Sequence, residues 1–191
     1  MMDKTRMNID VKKVLNKAGI QISFDKYAKI MRMFEEVNVL ESREFQRFFN
    51  GFYRVRRGAE WQKRYYAFFE ECRKTNPTFE SIIIAIYKQT GNVEASFSSK
   101  MLHTINGDMP IWDKFVLKQL KKKLTGKTKE EKIKNAIHIY KEIIEWYKTY
   151  LKTREATECI KEFDSLFPMY CWFSNTKKIY FLLWQMREDN I

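Results

Sequence analysis

Residues 76–92 read N-P-T-F-E-S-I-I-I-A-I-Y-K-Q-T-G-N, from Asn76 to Asn92, and the state of their centre decides the fold. Ile82-Ile83-Ile84-Ala85-Ile86 has the β-branched content of a buried strand. A strand needs a partner, and no second convincing strand occurs anywhere in the chain. The run is therefore expected to be a buried helix. Asn76-Pro77 breaks the chain before it, Thr78 can cap it, and Gly91-Asn92 ends it.

With that run helical, almost every other segment follows. Residues 10–18 form a short helix, closed by Gly19. Ser23 caps a helix over 24–40 that shows Phe24, Tyr27, Ile30, Met31 and Phe34 on one face. A third helix runs from 43 into the 50s. A fourth, over 59–74, carries Trp61, Tyr65, Phe68, Phe69 and Cys72 at helical spacing. A short helix over 97–105 leads into the turn Asn106-Gly107-Asp108, and Pro110 opens another helix to 124. Thr128 and Glu131 match a capping box at the start of the longest helix, over 129–152. Its stripe is Ile133, Ile137, Tyr140, Ile144, Tyr147 and Leu151. Helices over 154–166 and 175–188 finish the chain. The expected fold class is all-α, a compact multi-helix domain spanning 1–191. The Lys-rich stretch 121–128 is the place where two lobes would part.

Composition narrows the function classes. The 191 residues include 36 Lys or Arg against 24 Asp or Glu, a formal charge of +12. Aromatic residues make up 16%, which argues against disorder, and only 6 Gly and 3 Pro are present, which excludes linker-rich and collagen-like chains. The longest apolar runs, Ile82–Tyr87 and Ile179–Trp184, fall far short of the ~20 residues of a membrane span. The N-terminal stretch shows no secretory signal. Cys72, Cys159 and Cys171 form no CxxC pair, and with His103 and His138 they offer no zinc or iron–sulfur site. No metal and no cofactor is expected, and the default location is the reduced cytoplasm.

The positive charge is concentrated. Residues 43–74 hold nine Lys or Arg and four Glu; residues 118–134 hold eight Lys and two Glu. Extended as one helix at ~100° per residue, 43–57 puts Arg43, Arg47, Arg54 and Arg57 within a quarter turn, opposite Phe45, Phe48, Phe49 and Phe52. Arg56 falls on the apolar side, so the helix ends or bends before it, with Gly51 as one place to do so. Guanidinium forks suit phosphate contacts, and a basic face beside aromatics suits nucleic acid. The plainer account is a solvated helix face whose Arg stems cover the core edge. For Lys121-Lys122-Lys123 it is a helix C-terminus attracting cations.

Chemistry concentrates in Ala95–Val116, A-S-F-S-S-K-M-L-H-T-I-N-G-D-M-P-I-W-D-K-F-V. Lys100 is placed in the first turn of one helix and Asp113 in the first turn of the next. Positive potential at a helix N-terminus disfavours an ammonium and favours a carboxylate. Lys100 thereby tends toward a nucleophilic amine and Asp113 toward a stabilising or proton-accepting carboxylate. The two can meet only if the turn after 105 runs back along the helix. The plainer accounts are an exposed lysine and a helix-capping carboxylate. His103 lies one turn after Lys100, as a site residue or a satisfied structural histidine. Trp112 is either a ring for stacking on a base or a core residue.

The pattern resembles the helix-hairpin-helix DNA glycosylase superfamily, especially its 8-oxoguanine glycosylase-like branch. In that family a glycine hairpin precedes a catalytic lysine and a short helix. A proline-containing turn and a catalytic aspartate follow. Ser96–Lys100 stands at the hairpin and lysine, and Pro110–Val116 at the aspartate segment. Serines occupy the hairpin glycine positions, and the lysine-to-aspartate interval is several residues shorter than in the family. The resemblance implies Lys100 as the Schiff-base nucleophile on a damaged nucleotide's sugar and Asp113 as its acid–base or electrostatic partner. It also implies Ser98 and Ser99 at the DNA phosphate. The implied partner is double-stranded DNA, without a membrane, and the implied activity is that of a glycosylase/lyase on a flipped damaged purine. The competing expectation is a non-enzymatic basic helical module that binds nucleic acid or an acidic protein through Arg43, Arg47, Arg54 and Arg57. A third is a helical scaffold built on 129–152.

Overall fold

The computed structural model describes residues 7–187, and among them every regular element is helical. The order is α1 (Val11–Leu15), α2 (Ile20–Glu36), α3 (Arg43–Tyr53), α4 (Ala59–Arg73), α5 (Phe79–Thr90), α6 (Ala95–Ile105), α7 (Lys114–Gln119), α8 (Lys129–Tyr150), α9 (Arg154–Leu166) and α10 (Asn175–Gln185), with a 3-10 turn at Pro168–Tyr170. The chain is all-α. Ile82–Ile86 is helical inside α5, whose Thr78 and Ser81 form a capping box and whose Gly91 closes it at φ 68°. Thr128 and Glu131 cap α8 in the same reciprocal way.

Several boundaries depart from expectation. Helix α1 ends at Leu15, and Gly19, at φ 82°, instead leads directly into α2. Ser23 therefore lies inside α2 rather than capping it, its N–H bonded to the Gly19 carbonyl. Gly51 stays helical; α3 ends at Tyr53, with Arg54 left-handed at φ 53°. Pro110 opens no helix. Residues 110–113 belong to no regular element, and α7 begins only after the extended Asp113.

Helices α6 and α10 form the centre. Nine of the eleven residues of α6 are buried, and likewise nine of the eleven in α10. Helix α10 packs on α1, α7 and α9, whereas α6 packs on α4 and α5. Rings fill the space between. Phe24 meets Phe163, Phe167, Tyr170, Phe173 and Phe181 at centroid separations of 4.7–6.1 Å. A second group joins Phe34, Phe45, Phe49, Tyr65, Tyr66 and Phe69. The buried apolar residues make one contiguous cluster on both sides of 121–128. A helix buried all round is normally apolar all round. These two are not: α6 carries Lys100 and His103, and α10 carries Lys177 and Lys178, all buried.

Candidate functional site

Helix α6 starts at Ala95, so Lys100 is mid-helix and not in its first turn. Glu94 occupies the N-cap position but makes no side-chain cap, because Arg57 holds its carboxylate at 2.8 and 3.1 Å. Ser96–Ser99 are accordingly helical residues, and no hairpin stands at the positions where the resemblance places one. Ser98 and Ser99 are fully buried, which takes them away from any phosphate.

The segment after α6 does turn back along it. His103 Nδ1 lies 2.6 Å from the Met109 carbonyl. Trp112 donates its N–H to Ser99 Oγ at 2.9 Å, and Ser96 Oγ donates to the Trp112 carbonyl at 3.1 Å. Tyr140 donates to the Pro110 carbonyl at 2.7 Å, fixing the same strap from α8. The strap runs from the level of His103 to that of Ser96 and delivers Asp113 beside the N-terminal half of α6. Asp113 then caps α7, accepting from Phe115 N at 2.8 Å. Trp112 is only 6% exposed and stacks on Phe79 at 6.3 Å, as a core ring with no face free for a base.

Lys100 is 7% exposed. Its Nζ donates to the Tyr53 carbonyl at 3.3 Å and lies 5.2 and 5.5 Å from the Phe97 and Tyr53 rings. Burial pushes its pKa down to about 8; Asp113 opposes that shift and Arg54 adds to it. The amine is thus depressed by desolvation rather than by a helix terminus. His103 is fully buried, and burial with the nearby Lys177 lowers it to about 3. It is neutral, and the Met109 carbonyl, which can only accept, puts the proton on Nδ1. Nε2 then accepts from the Tyr27 hydroxyl at 2.9 Å. His103 is a satisfied core histidine behind Lys100.

The arginines separate. Arg43, Arg47 and Arg54 are exposed. Arg57 lies beyond the end of α3, and its fork is spent on Glu94. Sequence reasoning missed Tyr27, Glu94 and Lys177. The signal for Lys177 was present: it shares a helical face with Tyr180, Phe181 and Trp184. No group of three His, Cys, Asp or Glu is close enough to hold a metal ion, and no helix is long and apolar enough to cross a membrane, among the described residues. Compared with known proteins, the chain matches no protein-family model, no curated protein and no solved structure.

Proposed function

We propose that this chain binds nucleic acid through exposed arginines and acts on the sugar of a flipped damaged purine nucleotide, in the manner of a base-excision DNA glycosylase/lyase. One observation supports this most: the strap from Met109 to Trp112 brings Asp113 back to the helix that carries a depressed amine at Lys100. With a pKa of about 8, roughly a tenth of that amine is neutral at pH 7, against well under a thousandth for an ordinary lysine. The neutral nitrogen attacks the sugar C1′, and the base leaves with the electron pair of the broken bond. Asp113 stabilises the cationic sugar and accepts the proton that the nitrogen sheds. Arg43, Arg47 and Arg54 are left as the phosphate contacts, since Ser98, Ser99, His103 and Trp112 are buried.

The second reading is the non-enzymatic basic module, with nucleic acid or an acidic protein as partner. The observation favouring it is the narrowness of the opening at Lys100, which is 7% exposed. A fluorescent abasic-site duplex, an undamaged control and borohydride trapping separate the two. Preference for the abasic duplex, with a covalent adduct lost in Lys100→Gln, supports lyase chemistry. Equal binding to both duplexes that falls steeply with salt, without an adduct, leaves the basic module.

A further inference from the structure

Lys177 is the third residue of α10 and is fully buried. Its Nζ makes no hydrogen bond. Five rings surround it instead: Tyr27 at 4.1 Å, Tyr180 at 4.3 Å, Phe181 at 4.5 Å, Phe52 at 5.7 Å and Tyr53 at 6.0 Å. An ammonium here has surrendered its water and found no acceptor. The ring faces return part of that loss, but a cation–π contact is weaker than the hydration given up. Burial therefore drives this amine well below the ordinary lysine range. Lys100, which lies near the same Tyr53 ring, pushes it the same way, and Asp113 opposes. The other titratable or charged groups around the two lysines are Tyr27 from α2, Tyr53 and Arg54 from the end of α3, His103 from α6, and Tyr180 on α10 itself.

A buried lysine with no partner is an expensive substitute for leucine or methionine in a core. What it offers in exchange is an amine that gives up its proton more readily than an ordinary lysine. One wall around it is the last turn of α3. Phe52 reaches from Lys177 to partial exposure, and α3 stops one residue later in the left-handed Arg54. Helix ends open locally at low cost.

We infer that Lys177 is a second reactive amine of the Lys100 site, one that forms an imine with a small aldehyde bearing an anionic group when the last turn of α3 opens. The anionic group follows from the rim, where Lys100 and Arg54 are cationic. The step balances without any further reagent. The neutral Nζ attacks the carbonyl carbon, the oxygen takes up protons that the nitrogen gives up, and water leaves as the C=N bond forms. The proposal extends the lyase reading to a second amine, but its chemistry is testable without nucleic acid.

The test uses pyridoxal 5′-phosphate, an aldehyde that carries a phosphate. The intact protein is treated at pH 7, reduced with borohydride and mapped by peptide mass spectrometry. Lys177 is expected to be labelled at least ~tenfold faster than exposed Lys63 and Lys152, because its lowered pKa leaves more of its amine neutral. Lys177→Met should lose this adduct and keep the one at Lys100. Phe52→Ala, which thins the wall, should speed labelling of Lys177 several-fold. Labelling at Lys177 no faster than at the exposed lysines in both wild type and Phe52→Ala, or labelling of Lys100 alone, overturns the proposal. Failure of abasic-site trapping alongside successful labelling of Lys177 removes the lyase reading and leaves this one standing.

Discussion

The backbone N–H of Trp112 is bonded to the Ser99 hydroxyl at 2.9 Å, and this buried bond holds the approach to Asp113 against the helix of Lys100. Ser99 in turn donates to the Ser96 carbonyl at 2.9 Å. Ser99→Ala leaves the Trp112 N–H buried without an acceptor, which costs about 1–3 kcal/mol. Ser96→Ala removes only a donor from the part-buried Trp112 carbonyl, and about 1 kcal/mol or less is expected. Urea unfolding of both variants checks the order. A Ser96 variant weaker than the Ser99 variant would mean that the strap is held elsewhere.

Acid should loosen the centre through His103. Its unfolded value is near 6.5 and its folded value is lowered to about 3, so below 6.5 the unfolded state binds the proton and the folded state does not. Stability is therefore lost as pH falls through that window, by about 2 kcal/mol between pH 6.5 and 5. His103→Gln, which cannot titrate, should flatten this part of the profile. An equally steep profile in the variant would assign the loss to other groups.

Alkali should do the opposite, which is unusual for a protein. Lys177 is ordinary in the unfolded chain and far lower in the fold, so between those values the unfolded state holds the extra proton. Stability then rises with pH between those values, and Lys100 adds to the slope above its value of about 8. At higher pH the buried Cys72 and Cys159 thiols, pushed up to about 11, work against the trend. Lys177→Met should be more stable than wild type at pH 7 and should gain less stability as pH rises, keeping only the Lys100 part of the slope. A flat wild-type profile in urea unfolding would show that Lys177 keeps its proton in the fold.

What the sequence made legible were the elements whose signals are local. Thr78, Gly91 and Thr128 sit where their capping chemistry predicts, and the apolar run in α5 is helical because no strand was available to pair with it. The failures share a cause. Pro110 reads as a helix start, but the residues around it are held out of any helix by Ser96, Ser99 and Tyr140, which lie elsewhere in the chain. The true start of α6 carried no cap signature, because the Glu94 side chain is engaged by Arg57 from 37 residues away. Lys100 and Lys177 read as surface residues by type. Only the packing of α6 and α10 at the centre buries them; the aromatic face around Lys177 hints at it, and nothing local marks Lys100.

The arginines provide the sharpest separation of structure from function. Arg57 holds the Glu94 carboxylate, whose side chain is 6% exposed, and is itself 42% exposed. Arg57→Gln strands a buried charge, and with solvent reaching the arginine side the expected loss is about 1–3 kcal/mol. Arg43 and Arg47 take part in no ion pair among the described residues, so Arg43→Gln with Arg47→Gln should change stability by less than about 0.5 kcal/mol. If nucleic acid docks on this face, the same double variant should weaken binding to abasic and undamaged duplexes alike. It should also lower the salt dependence by about one to two units of slope. Unchanged affinity and slope in a stable double variant would move the nucleic-acid contact off α3, and the Lys-rich stretch after α7 would be the next surface to neutralise.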